Sequence, residues 1–135
     1  MKNNELARIL FEMAELLEMK EVPFKPRAFE RAAHSIEVLG EDVADIYTRE
    51  GLDGLKKIPG VGGGIAERIE EFLKHGKIPD HVRLKKEMPV DISGLTAIEG
   101  VGPKTIRLLY KKLKIKNVKD LERAAKTGKL RDIPR

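Results

Sequence analysis

Two short segments, Gly60-Val61-Gly62-Gly63-Gly64 and Gly100-Val101-Gly102-Pro103-Lys104-Thr105, hold the residues of this 135-residue chain whose types and spacing could do chemistry. Glycine tolerates positive φ and carries no side chain, so backbone can approach another molecule closely. Where such a turn opens a helix, its free amides and the helix dipole favour an anion, a phosphate above all. The two segments are copies of each other. Displaced by forty residues, Leu55, Ile58, Gly60, Val61, Gly62 and Ile69 fall on Leu95, Ile98, Gly100, Val101, Gly102 and Leu109. Each copy reads apolar-x-x-apolar-x-Gly-Val-Gly and runs into a helix with an apolar face, a repeated structural unit. The apolar pair anchors a first helix, and the valine plugs the space between two helices. A single Gly-Val-Gly is as readily a tight interhelical turn; two matched copies, one beside a strongly basic helix, point to binding. Nothing in Gly-Val-Gly can read a base edge, so a nucleic acid held through it is held by its backbone.

The charge supports a polyanionic partner, and it is unevenly placed. Residues 1–87 carry 15 Lys/Arg against 17 Asp/Glu, a net of −2, whereas residues 88–135 carry 12 against 5, a net of +7. Lys104, Arg107, Lys111 and Lys114 recur at helical spacing after the second hairpin, with Ile106, Leu109, Tyr110 and Leu113 on another face. Such a row would track one strand. Other chemistries fail on detail. Gly100–Thr105 has a Gly-Lys-Thr flavour, but Pro103 intrudes and no glycine stands at the earlier position that a phosphate loop needs. No strand leads into Gly60–Gly64, so a dinucleotide fold is a poor match. The chain has no cysteine, which excludes disulfides, thiolate zinc sites and Cys nucleophiles. His34, His75 and His81 have no partner at metal-ligand spacing and read as ordinary surface or core histidines. The four methionines suggest no cofactor box.

The elements that must position these residues are helices. Leu6, Ile9, Leu10, Met13, Leu16 and Leu17 recur at helical spacing, with Asn3 or Asn4 as the cap. Glu21-Val22-Pro23 ends that helix. Pro26 suits the first turn of a second, which carries Ala28, Phe29, Ala32, Ala33, Ile36 and Leu39 inward. A third runs over 41–49 and stops at Gly51. A short helix at 52–57, the turn 59–64 and a helix to about 75 make the first hairpin, and 79–87 is a further short helix. Met88-Pro89-Val90-Asp91 is a boundary, because proline disfavours helix in the residue before it. The second half repeats the pattern with helices at 92–97, 103–114 and 117–126. The expected fold is all-α: two small helical subdomains, 1–87 with a helix–hairpin–helix at about 52–75, and 88–135 with another at about 92–126. No apolar run approaches the ~18 residues of a membrane span. The opening leads into an amphipathic helix rather than a signal core, so a cytoplasmic protein is expected. Few Asn, no Gln and many Lys, Glu and Arg fit a thermophile.

Residues Ile58–Leu73 with Gly76-Lys77, and Lys25–Ala33 before them, resemble the amino-terminal 8-kDa domain of family X DNA polymerases, of the prokaryotic, DNA polymerase beta-like type. Ile98–Lys104 followed by Val118-Lys119-Asp120-Leu121 is similar to the adjoining subdomain that holds the primer-side duplex. The resemblance covers essentially the whole chain. It implies a monomeric DNA-binding region for short-gap repair synthesis, with gapped or nicked duplex as partner. The backbone would be held by Gly60, Val61, Gly62 and Gly64, and by Gly100, Val101, Gly102, Lys104, Thr105, Arg107 and Lys111. A 5′-phosphate pocket would be formed by Lys25, Lys56 and Arg68. Carbonyls of Lys56, Ile58 and Val61, and of Thr96, Ile98 and Val101, would hold a monovalent cation, K+ or Na+, and no other cofactor is expected in the chain.

Two departures bear on chemistry. Relatives that excise deoxyribose phosphate use a lysine nucleophile at the position of Arg68, and a guanidinium cannot form the Schiff base. Their second pocket lysine falls on Gly64, and a phosphate-binding His and Tyr fall on Phe24 and Phe29. Arg68 could equally pair with Glu67 or Glu71 on the surface. The second departure is length. Nucleotidyl transfer needs Mg2+ held by palm carboxylates; Asp42 and Asp45 lie in the wrong region and no palm segment follows. Leu130-Arg131-Asp132-Ile133-Pro134-Arg135 repeats the hairpin opening, as expected of an amino-terminal fragment cut inside a third hairpin. Two other functions fit parts of the pattern: an abasic-site lyase using Lys56, Lys57, Lys74 or Lys77, and a free-standing junction-binding scaffold.

Overall fold

A computed structural model describes residues 2–128, among which there are eight α-helices and no strand. They are α1 Lys2–Met19, α2 Lys25–Glu37, α3 Val43–Lys56, α4 Gly63–His75, α5 Pro79–Glu87, α6 Ile92–Thr96, α7 Pro103–Leu113 and α8 Val118–Lys126. The fold is all-α, as the spacing indicated. The chain divides into two compact units, Met1–Lys86 and Glu87–Arg135. The hairpin-like segment Leu130–Arg135 lies outside the described residues. No helix among those described is long and apolar enough to cross a membrane.

In the first unit α1 packs along α2 and α3 packs against α4. Leu6, Leu10, Met13 and Leu16 bury one face of α1, and Phe29, Ala32, Ala33 and Ile36 bury the facing side of α2. The paired alanines bring the two backbones close. Ala28, expected to point inward, is exposed, so the buried stripe of α2 begins at Phe29. The segments 41–49 and 52–57, read as separate helices, are two helical stretches within α3 that meet at the non-helical Gly51 (φ +66°), as the sequence indicated.

Asn3 is the second correction. It does not cap α1; it is buried and reaches α3 instead. Its Oδ1 accepts from Val43 N–H at 2.9 Å and its Nδ2 donates to the Glu41 carbonyl at 2.8 Å. Asp42 caps α3, its Oδ1 accepting from Ala44 N–H at 2.8 Å. Two otherwise orphaned first-turn amides are thereby satisfied, and the start of α3 is tied to the start of α1.

The second unit is smaller. Leu109, Ile115 and Ala124 form its buried centre, with Leu113 and Leu121 packed against them. Asp91 N–H donates to the Lys116 carbonyl at 2.7 Å, joining the entry to α6 with the loop before α8. Asn117 caps α8 by accepting from Asp120 N–H at 2.8 Å, and Asp120 Oδ2 accepts from Lys116 N–H at 3.1 Å. This reciprocal pair sets the direction in which α8 leaves the loop.

The first unit carries one strained electrostatic site. Glu12 Oε1 lies 3.0 Å from His81 Nε2, linking α1 to α5. That hydrogen bond holds the Glu12 carboxyl below the ordinary range. One turn on, burial pushes Glu15 up to about 7, reinforced by the charges of Glu12, Glu18 and Glu30, and its Oε2 has no hydrogen-bond partner. Because the folded-state value is raised, the contribution of Glu15 is fully present below the unfolded value near 4.5 and is lost as pH rises through 7. Glu15→Gln should therefore leave stability nearly unchanged at about pH 4 and raise it at about pH 8 by about 1–2 kcal/mol, allowing for partial exposure of the group. Urea unfolding at the two pH values checks this, and equal effects at both would refute it.

Candidate nucleic-acid interface

The two hairpins have the same backbone bonding. In the first, Ile58 N–H donates to Leu55 O at 3.1 Å, Val61 N–H to Ile58 O at 3.0 Å, and Ala66 N–H to Gly62 O at 2.9 Å. In the second, Ile98 donates to Leu95 at 3.2 Å, Val101 to Ile98 at 3.1 Å, and Ile106 to Gly102 at 3.0 Å. Gly60 and Gly100 hold φ of +83° and +85°, the left-handed region that a side chain disfavours. Gly62 and Gly102 are the extended N-caps of α4 and α7.

This bonding sorts the expected contact residues. Val61 is buried, Val101 is half-buried, and the amide of each is engaged within its own turn. Both valines therefore act as plugs whose amides do not face outward. The amides of Gly62, Gly63, Gly64 and Ile65 precede the first intrahelical bond of α4 and have no helical acceptor. In α7 the equivalent donors are Gly102, Lys104 and Thr105, because Pro103 lacks an N–H. Gly63 and Ile65 were not singled out from sequence. Counting the orphan amides of a helix that begins at residue 63 finds them.

Arg68 does not pair with Glu67 or Glu71. Its Nε donates to Asp80 Oδ2 at 3.0 Å, its Nη2 reaches the same oxygen, and its Nη1 donates to the Gly64 carbonyl at 3.0 Å. The guanidinium also sits over the Phe29 ring, 5.5 Å from its centroid. Arg83 Nη2 takes the other Asp80 oxygen at 3.1 Å. A Cβ placed on Gly64 would lie 3.4 Å from Arg68 Nη1, so the missing side chain leaves the guanidinium room over the first turn of α4. Phe29, Gly64 and Arg68 are thus one packing arrangement. Asp80 had no signal in residue spacing, since it acts across the Gly76 turn from the next helix.

The other residues expected to meet a 5′-phosphate are less constrained. Lys25 and Lys56 are exposed, and Lys56 Cε lies 3.9 Å from a Cβ built on Gly63, beside the free amides. Phe24, at the position of the family's phosphate-binding histidine, is 90% exposed with φ +67°. Among the described residues no group of three or more His, Asp or Glu could hold a metal ion. In the second unit Lys104, Arg107 and Lys111 lie on α7, but Lys114 does not continue their row. It is the left-handed C-cap (φ +55°), with its ammonium 5.5 Å from the Tyr110 centroid.

Removing Arg68 tests whether it is structural. Arg68→Ala leaves the half-buried Asp80 with one partner and should destabilise the first unit by about 1–2 kcal/mol. Arg68→Lys should recover less than half of that, since one ammonium cannot reproduce the fork. A urea midpoint unchanged in Arg68→Ala would remove this role.

Comparison with known proteins agrees with the geometry. Residues 1–78 match a helix–hairpin–helix domain and residues 92–135 a SAM-like helix–hairpin–helix tandem. The chain is 28% identical over 134 residues to the DNA polymerase/3′-5′ exonuclease PolX of Bacillus subtilis (strain 168), an alignment covering 98% of this chain and 22% of that protein. The chain therefore belongs to the helix–hairpin–helix domain family and is homologous to the N-terminal helix–hairpin–helix region of the bacterial family X DNA polymerases.

Proposed function

We propose that this chain holds DNA by its sugar–phosphate backbone, at gaps or nicks, as the DNA-binding region of a family X repair polymerase. The observation that carries this reading is the bond-for-bond match of two hairpins, each ending on a helix start with unpaired amides. Such a helix start takes a phosphate oxygen without consulting a base. Lys104, Arg107 and Lys111 add charge beside the second hairpin. Lys25 and Lys56 do so beside the first, where a 5′-phosphate would sit. Arg68, tied to Asp80, contributes positive potential there and stays protonated, so it serves binding and not cleavage. Nucleotide transfer, with Mg2+ and palm carboxylates, would belong to a larger parent polymerase. The chain acts as a monomer in the cytoplasm on this reading, and its composition suits a thermophile.

DNA titrations test the reading. Affinity should fall log-linearly with salt, with a slope of several units, each neutralised phosphate contributing roughly −0.9. Gapped duplex should bind more tightly than intact duplex, and a 5′-phosphate in the gap should strengthen binding further. Salt-independent binding overturns the reading; equal affinity for every duplex favours a junction-binding scaffold.

A monovalent cation, K+ or Na+, is proposed at each hairpin. The turn carbonyls of Lys56, Ile58 and Val61, and of Thr96, Ile98 and Val101, offer neutral oxygens of the kind that suits a hard ion. Bound there, the ion would place positive charge beside a phosphate. Replacing K+ by tetramethylammonium at constant ionic strength should weaken DNA binding severalfold, and an unchanged Kd would dismiss the ion.

A further inference from the structure

Six cations of the first unit have acidic partners. Arg49 pairs with Glu41 and Glu50, Lys57 with Glu50, Arg68 and Arg83 with Asp80, Lys74 with Glu70, and Lys85 with Glu12. Arg27 and Arg31 are different. They stand one turn apart on the exposed face of α2 and make no ion pair or hydrogen bond among the described residues. His34 follows one turn later, also exposed. With Phe11 of α1, Glu30 and Pro59, these three line a cleft of about 510 Å³.

The cleft adjoins the first hairpin. Pro59 precedes Gly60, and a Cβ built on Gly60 would lie 3.4 Å from the Ala32 nitrogen and the Arg31 carbonyl carbon. The hairpin therefore rests on the stretch of α2 that carries the unpaired arginines. One wall of the cleft is cationic, and another, from Phe11 and Pro59, is apolar.

We propose that this cleft binds one nucleotide of a single-stranded DNA segment, next to the backbone held by the hairpin. Arg27 and Arg31 take the flanking phosphates, for which their charge and unpaired state fit them. The base lies against Phe11, with the Glu30 carboxylate accepting from an N–H at its edge, such as the N3–H of thymine. A cavity of this size suits a nucleotide unit, and only an unstacked base can use an aromatic wall. Duplex would present a stacked, convex surface to it. The proposal rests on the backbone-binding reading above and adds a site beside the hairpin turn.

Arg27→Ala/Arg31→Ala in the full chain tests it, with fluorescence anisotropy on a labelled twelve-residue oligothymidylate and on intact duplex. Affinity for the oligothymidylate should fall about tenfold, and its log–log salt slope should shrink by about 1.4, at roughly 0.7 per phosphate contact on a single strand. Duplex affinity should change less than about twofold, and Lys77→Ala/Lys86→Ala, which removes equal charge elsewhere on the unit, should leave the oligothymidylate within the same margin. Arg27→Gln/Arg31→Gln repeats the measurement if the alanine pair melts early. Equal losses in both double variants, an unchanged slope, or equal loss on duplex would overturn the cleft while leaving the hairpin reading intact. A wild-type chain that binds duplex with a steep salt slope but ignores the oligothymidylate would do the same. Absence of salt-dependent binding to any DNA would instead mark failure of the hairpin reading itself.

Discussion

The structure depends on one backbone constraint, repeated twice: a glycine at φ near +85° that lets the valine after it bond back to the isoleucine before it. That bond folds the chain tightly enough for the following glycine to cap a helix. Everything useful for binding descends from this arrangement. The valine is drawn inward and joins the two helices of the hairpin, so the turn is anchored from beneath. The next three or four amides are left without acceptors because they belong to the first turn of a helix. A residue with a Cβ at the positive-φ position would strain the turn by about 1–3 kcal/mol and tilt those amides.

The same turn is supported differently in the two units. Behind Gly60 lies α2, close enough that a single added methyl would meet its backbone, whereas nothing approaches Gly100 within 4 Å. The first hairpin is therefore braced by the pair α1–α2, itself tied to α3 through buried Asn3. The second relies on α7, α8 and a small centre of Leu109, Ile115 and Ala124. This asymmetry is matched by the charge. A braced hairpin can be specific through shape even in a slightly acidic unit, while an unbraced one beside a basic helix gains its grip from long-range attraction.

Much of this was legible in sequence, for reasons that can be traced to particular residues. Helical periodicity placed α1, α4 and α7 because each has one dominant apolar face. The forty-residue repeat placed the hairpins because glycines at fixed offsets encode backbone conformation directly. What stayed hidden was tertiary pairing. Asn3 looked like a local cap, since capping is what Asn does near a helix start, yet its partners lie about forty residues away. Arg68 looked like a partner for its own helix, because near neighbours such as Glu67 and Glu71 are visible in a string and the pairing with Asp80 is not. Lys114 looked like the fourth member of a row, but its left-handed φ ends the helix one residue earlier. In each case the residue type was informative and the partner was not.

Arg68 is held in a way that does not suit nucleophilic chemistry at its own position. A nucleophilic amine must lose its proton and must be free to approach a carbon. A lysine can meet both needs when burial or neighbouring cations lower its pKa. The guanidinium at position 68 meets neither, being permanently charged and held at once by Asp80, the Gly64 carbonyl and the Phe29 face. Two of those three contacts, Gly64 and Phe29, come from positions where the lyase-type residues would otherwise stand. Gly64 gives the guanidinium its space, and Phe29 gives it a surface without a competing hydroxyl. Restoring one lysine at position 68 would leave Phe29 and Gly64 as they are and Asp80 deprived of its forked partner. The contacts hold the residue at position 68 charged and in place, so that it serves as a positive, structural group and not as a nucleophile.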